Sequence, residues 1–156
     1  QGLFIEENGY VSLPATAFHR KFESEDVKMS VLPGLGFEGA ALQIGSPIAP
    51  LQMYRSSEVP RVEYDFYTFN AGSVTVYTYA LPVFPVNSER GTCFGIMIDN
   101  GLLKYASNNA KEYSGEWREN VYRNSTINAV TLNIDKPGKH TLKLICSDPG
   151  MIIQKL

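Results

Sequence analysis

The chain has 156 residues, the size of one domain built around one core. Hydrophobic residues make up 44% and charged residues 19%, too apolar a balance for a disordered chain. Sixteen acidic against fourteen basic side chains leave a net charge of −2, which argues against a nucleic-acid binder, whose footprint is a basic excess. One Trp, nine Tyr and eight Phe, set among many β-branched residues, prefer a pleated, half-buried surface and predict an all-β domain.

In chain order, strands are predicted near Tyr10 to Phe18 and Ala40 to Gly45. From Arg61 to Phe69, Val62, Tyr64 and Phe66 alternate with Arg61, Glu63 and Asp65. That is a half-buried strand with its carboxylates on a solvated face. Ser73 to Leu81 is substantial on both faces and reads as a central strand, joined to the previous one by a hairpin at Asn70-Ala71-Gly72. Thr92 to Ile98 turns at Asp99-Asn100-Gly101 into Leu102 to Ala106, and Asn-Gly after a strand is a strong hairpin signal. Ser107 to Glu119 is polar and contains Gly115, so it reads as a long loop with room for one helical turn. Thr126 to Ile134 follows, then Lys136-Pro137-Gly138-Lys139, with Pro and Gly placed for a type II turn, into His140 to Ser147. Asp148-Pro149-Gly150 turns once more into Met151 to Leu156. The total is about nine strands at the spacing of an antiparallel β-sandwich.

Phe66 to Ser88 is uncharged and long enough to span a membrane, but Asn70, Gly72, Pro82, Pro85 and Asn87 break it, so no membrane segment is predicted. The chain starts at Gln1 without a signal-peptide pattern and reads as a mature or trimmed product. Cys93 and Cys146 lie in apolar runs; two buried free thiols are favoured over a disulfide. Gly34-Leu35-Gly36-Phe37-Glu38-Gly39 matches G-x-G-x-x-G, yet Pro33 precedes it and no helix follows. Without the strand–turn–helix context it is a glycine-rich turn before a strand. His19 and His140 have no second ligand type at metal spacing. No Gly-x-Ser-x-Gly elbow occurs, and no carboxylate pair marks a cleft, so no catalytic residue is assigned.

Aromatics in polar loops are the most informative candidates, because sugar rings stack their C–H faces on flat side chains. Trp117 sits in Glu116-Trp117-Arg118-Glu119-Asn120, between Tyr113 and Tyr122. Tyr54-Arg55 and the run from Phe84 to Arg90 mark two further loops. Trp117 either covers the sandwich edge or faces a ligand.

Taken together, Gly9-Tyr10-Val11-Ser12, Pro33-Gly34-Leu35-Gly36 with Gly39, and Val62-Glu63-Tyr64-Asp65-Phe66-Tyr67 form part of an ordered set. Gly72-Ser73-Val74-Thr75-Val76, Trp117 with Asn120, Lys136-Pro137-Gly138-Lys139-His140-Thr141-Leu142-Lys143, and Asp148-Pro149-Gly150 leading to Gln154-Lys155 complete it. From about residue 4 to its end, the chain resembles the C-terminal domain of family 115 glycoside hydrolases, the xylan α-glucuronidases. The resemblance implies a jelly-roll, galactose-binding-like sandwich, similar to carbohydrate-binding modules of families 6 and 35. It implies a single accessory domain over residues 1–156, excised from the C-terminal end of a larger secreted or periplasmic glycoside hydrolase and without its own catalytic residues. The expected ligand is a xylan-type polysaccharide or oligosaccharide, with no nucleic acid, membrane or cofactor. Trp117, Tyr113 and Tyr122 would stack on sugar, and Asn120 and Arg90 would bond hydroxyls or a uronate carboxylate. The alternative is a structural domain that packs on other domains of the parent enzyme or on a homodimer mate, through uncharged loops at Pro47 to Tyr54 and Leu81 to Val86. Related modules often carry Glu-Ala-Glu in the first strand for a structural calcium. Here Pro14-Ala15-Thr16 and Gln154 stand instead of carboxylates, so no metal is expected at that site.

Overall fold

In the computed structural model, residues 2–52, 59–85, 89 and 91–156 are described. The described chain is nearly all β, with eleven strands and one helix. The strands are β1 (Phe4–Ile5), β2 (Arg20–Phe22), β3 (Met29–Pro33), β4 (Ala40–Ile44), β5 (Arg61–Thr68), β6 (Gly72–Ala80), β7 (Thr92–Ile98), β8 (Lys104–Asn108), β9 (Thr126–Ile134), β10 (Gly138–Cys146) and β11 (Met151–Lys155). The helix α1 is Gly115–Tyr122. One sheet runs β1-β5-β10-β7-β8, with β2 also on β5; the other runs β3-β4-β11-β6-β9.

The two sheets face each other over a core of alternate side chains. Val62, Tyr64 and Phe66 of β5, Ile96 and Ile98 of β7, and Leu142 and Leu144 of β10 meet Leu42 and Ile44 of β4, Val76 of β6, and Val130, Leu132 and Ile134 of β9. This is the inward half of the period-2 pattern, removed from water. Tyr64 is fully buried, and its hydroxyl donates to the Ala15 carbonyl at 2.7 Å. Burial raises its pKa because the phenolate would be unsolvated.

The strands with clear alternation fall where expected, and the Asn100-Gly101 turn joins β7 and β8 as a hairpin, Ile96 opposite Lys104. Asp99 takes the positive φ there, at +53°. The expected hairpin at 70–72 is corrected: β5 and β6 lie in different sheets, and the chain crosses the sandwich between them. Gly72 does supply the positive φ, at +118°. The turns after β9 and β10 also cross between sheets. Residues 10–18 do not form a strand. They thread past the end of β11, where Leu13 and Leu156 exchange N–H···O bonds in both directions at 2.9 Å. The segment 107–119, expected as a long loop with room for one helical turn, extends β8 to Asn108 and starts a helix of eight residues, α1. The glycine-rich motif is the β3–β4 turn, closed by the Gly34 N–H donating to the Gly39 carbonyl at 2.8 Å. Neither cysteine is in a disulfide; Cys146 is buried and Cys93 half-buried.

The solvated face assigned to Glu63 and Asp65 is also corrected, since both are buried. β2 lies along β5 and brings Arg20 over them. Arg20 bonds Glu63 at 2.8 Å and both oxygens of Asp65 at 2.6 and 2.9 Å. Arg61 bonds Glu63 at 2.8 Å, Lys139 lies 3.3 Å from Asp65, and the Thr141 hydroxyl donates to Asp65 at 2.8 Å.

Candidate functional site

α1 follows from local chemistry. Ser114 has extended backbone at φ −67°, ψ 166°, and its hydroxyl accepts from the Trp117 N–H at 3.1 Å. This satisfies one of the free N–H groups of the first turn. Glu116 adds a negative charge near the positive end of the helix. At the other end the Arg123 N–H donates to the carbonyls of Glu119 and Val121.

This helix places Trp117 in an aromatic group. Its ring stacks on Phe84 with centroids 6.4 Å apart and planes 24° from parallel. The Tyr113 ring lies 5.5 Å from it at 60°. Phe84 comes from the loop after β6, which the sequence marked by its aromatic and arginine ends. Tyr113 is held at φ +61°, in the left-handed region, and remains 73% exposed. The Glu112 carboxylate beside its hydroxyl pushes its pKa up. Trp117 itself is half-buried.

The remaining predicted residues are placed differently. Tyr122 is exposed at the end of α1, five residues on from Trp117 and so about 140° around the helix from it. Asn120 is buried against β9, and its side-chain oxygen accepts from the Arg123 guanidinium. Arg123 also donates to the Ser125 carbonyl at 2.7 Å. Asn120 therefore braces the end of the helix that carries Trp117. Arg90 and Tyr54-Arg55 lie outside the described residues.

Elsewhere, Glu63, Asp65 and His140 are committed to structure. Arg20 holds Asp65 far below the usual carboxylate range. Burial works to raise Glu63, and the bonds from Arg20 and Arg61 outweigh it and lower its pKa. Both carboxylates are thus fixed anions. His140 has one ring nitrogen on Asp99 at 2.8 Å and the other on the Lys136 carbonyl at 2.9 Å, so neither nitrogen faces a nucleophile. In the uncharged loop after β4, Ile48 is 94% exposed and Leu51 56% exposed.

The fold is shared with sugar-binding modules. A structure described as a family GH115 4-O-methyl-α-glucuronidase, BtGH115A, with specificity for decorated arabinogalactans aligns with a TM-score of 0.65 at 23% identity, covering 88% of this chain and 17% of that one. The chain thus spans about a sixth of that enzyme. The CBM6cm-2 module of Cellvibrio mixtus lichenase 5A in complex with cellotriose aligns at 0.56 and 10% identity, over 92% of each chain. CsCBM6-3 from Clostridium stercorarium in complex with cellobiose aligns at 0.51 and 14%, over 99% of this chain and 94% of that one. No curated protein matches by sequence. The family model of the glycosyl hydrolase family 115 C-terminal domain matches residues 3–156, and the chain belongs to that family.

Proposed function

We propose that this domain is a non-catalytic accessory module of an exported α-glucuronidase-like glycoside hydrolase, and that it binds glucuronoxylan. The observation that carries this reading is the aromatic group of exposed Phe84 and Tyr113 around half-buried Trp117, which sits on a capped helix whose far end is fixed by Asn120 and Arg123. Flat rings held in place lose little entropy when a sugar ring stacks on them. The role of Arg90 is to meet the uronate carboxylate with its two-pronged guanidinium. The family membership and the fold shared with cellobiose- and cellotriose-bound modules support the reading.

The test is a calorimetric titration with xylo-oligosaccharides bearing 4-O-methylglucuronic acid, beside unsubstituted xylo-oligosaccharides and arabinogalactan fragments. Binding of the acidic xylan fragment is expected to weaken at least tenfold in Trp117→Ala. Absence of binding at millimolar ligand, or binding indifferent to Trp117→Ala, removes the reading; selective binding of arabinogalactan fragments redirects it to that polymer. A second reading, a domain that packs on its parent enzyme or on a dimer mate, is favoured by exposed Ile48 and Leu51. There, Ile48→Asp in the whole enzyme shifts its oligomeric state or melting temperature and leaves the sugar titration unchanged.

A further inference from the structure

The second sheet is incomplete along one side of β6. β9 pairs with all nine residues of β6, from Gly72 opposite Ile134 to Ala80 opposite Thr126. On the other side β11 meets β6 only at Ala80 and Tyr79, through an irregular register. β11 then ends, with Leu156 bonded to Leu13. Below that point a cavity of about 540 Å³ separates β6 from the segment 9–13. Phe66, Ile98, Ile134 and Leu142 of the core form its floor. Val74, on the inward face of β6, is only half-buried here, whereas Val76 one step up is buried.

The backbone of β6 identifies what fits. The Leu81 N–H donates to the Ile152 carbonyl, so odd-numbered residues direct their polar groups to the β11 side. The register of β6 with β9 is unbroken, so this alternation continues down the strand. Ser73, Thr75 and Tyr77 therefore aim N–H and C=O groups into the cavity, and no backbone hydrogen bond among the described residues meets them there. Such a row repeats every two residues, about 6.8 Å. Another extended backbone matches that repeat in both donors and acceptors, and its alternate side chains would reach the apolar floor.

We propose that this slot is a docking site for an extended peptide, donated by another polypeptide segment. The peptide adds as a strand of about five residues antiparallel to β6 and in line with β11, with apolar side chains at the alternate positions that face the core.

Amide hydrogen exchange of the domain tests this with a blocked synthetic peptide, Lys-Val-Thr-Val-Thr-Val-Lys, beside the same peptide with proline at its centre. The first peptide is expected to slow exchange at Ser73, Thr75 and Tyr77 at least tenfold. Val74 and Val76, already bonded to β9, stay unchanged, and the proline peptide has no effect. Thr75→Pro removes an N–H that faces the slot rather than β9, so it abolishes binding and keeps the circular dichroism spectrum; if that variant fails to fold, exchange in the unaltered domain decides. The proposal is overturned if these amides are already protected in the free domain, if millimolar peptide leaves them unprotected, or if both peptides protect alike. Protection by xylo-oligosaccharide in place of peptide also overturns it.

Discussion

Gln154 shows how one side chain can tie three parts of the molecule. It is buried on β11, its Oε1 accepts from the Phe37 N–H at 3.1 Å, and its Nε2 donates to the Asn124 carbonyl at 2.9 Å. The β3–β4 turn and the chain leaving α1 are thereby held to the last strand. Gly36 makes the approach possible: a Cβ there would sit 3.3 Å from Gln154 Oε1, and its φ of +80° suits glycine alone. Gln154→Leu leaves two backbone groups without partners and is expected to cost about 2 kcal/mol, read as a lower urea midpoint with an unchanged slope. Gln154→Glu keeps the acceptor for Phe37 but turns a carboxylate oxygen toward the Asn124 carbonyl, so it is expected to be no better. Sequence reading reached this residue only as a carboxylate that is missing from related modules. Its partners lie 117 and 30 residues away in sequence, a distance at which residue type carries no information about contact.

At the scale of elements, what was legible followed from alternation. β5, β6, β9 and β10 have eight or nine residues each, and one face of each enters the core. β2 has three residues, all exposed, and has no apolar face to betray it. Its importance lies in Arg20, which no pattern links to Glu63 and Asp65. Period-2 patterning also cannot distinguish a hairpin from a crossing, because a strand hides the same face whichever sheet it joins. The turns at 70–72 and 99–101 therefore look alike in sequence, although the first crosses between sheets and the second closes a hairpin. Of α1 only one turn is legible, because Asn120 is its only buried residue and it has no apolar stripe. Its start was written in Ser114. Ser114→Ala is expected to destabilise the domain by about 1 kcal/mol, with exchange rising first in the amides of 116–119. Because α1 carries Trp117, the same variant should weaken sugar binding less than Trp117→Ala does, through poorer positioning of the ring.

Across the whole molecule, the shifted groups set a pH window for stability. Glu6 is lowered by the Phe69 N–H and Asn70, and Glu23 by the Met29 N–H and Lys21. Glu63 and Asp65 are lowered through Arg20, with Arg61 also acting on Glu63. The unfolded chain takes up protons on these carboxylates near pH 4, before the folded protein does. Their contribution is therefore complete above about pH 5 and is lost as pH falls through the folded values. Cys146 works in the opposite sense. Burial, helped by Asp148, pushes its thiol up to about 12, while the unfolded thiol ionises near 8.5. Its contribution is present below about pH 8.5 and is lost as pH rises toward 12. Calorimetry from pH 2.5 to 10 should give a melting temperature that is flat between about pH 5 and 8.5 and falls on both sides, by about 2–4 °C for each kcal/mol at this chain length. Asp65→Asn should lower the plateau and flatten the acid limb, because Arg20 then faces a neutral amide; Cys146→Ala should flatten the alkaline limb only. A melting temperature that rises on acidification, or an alkaline limb unchanged in Cys146→Ala, contradicts the assignment of these groups. The two limbs report on different parts of the fold, the acid one on carboxylates held by ion pairs and backbone N–H groups at the surface and over β5, and the alkaline one on dryness between the sheets. A ligand that stacks on Trp117 touches neither layer, so it should raise the plateau without moving its edges.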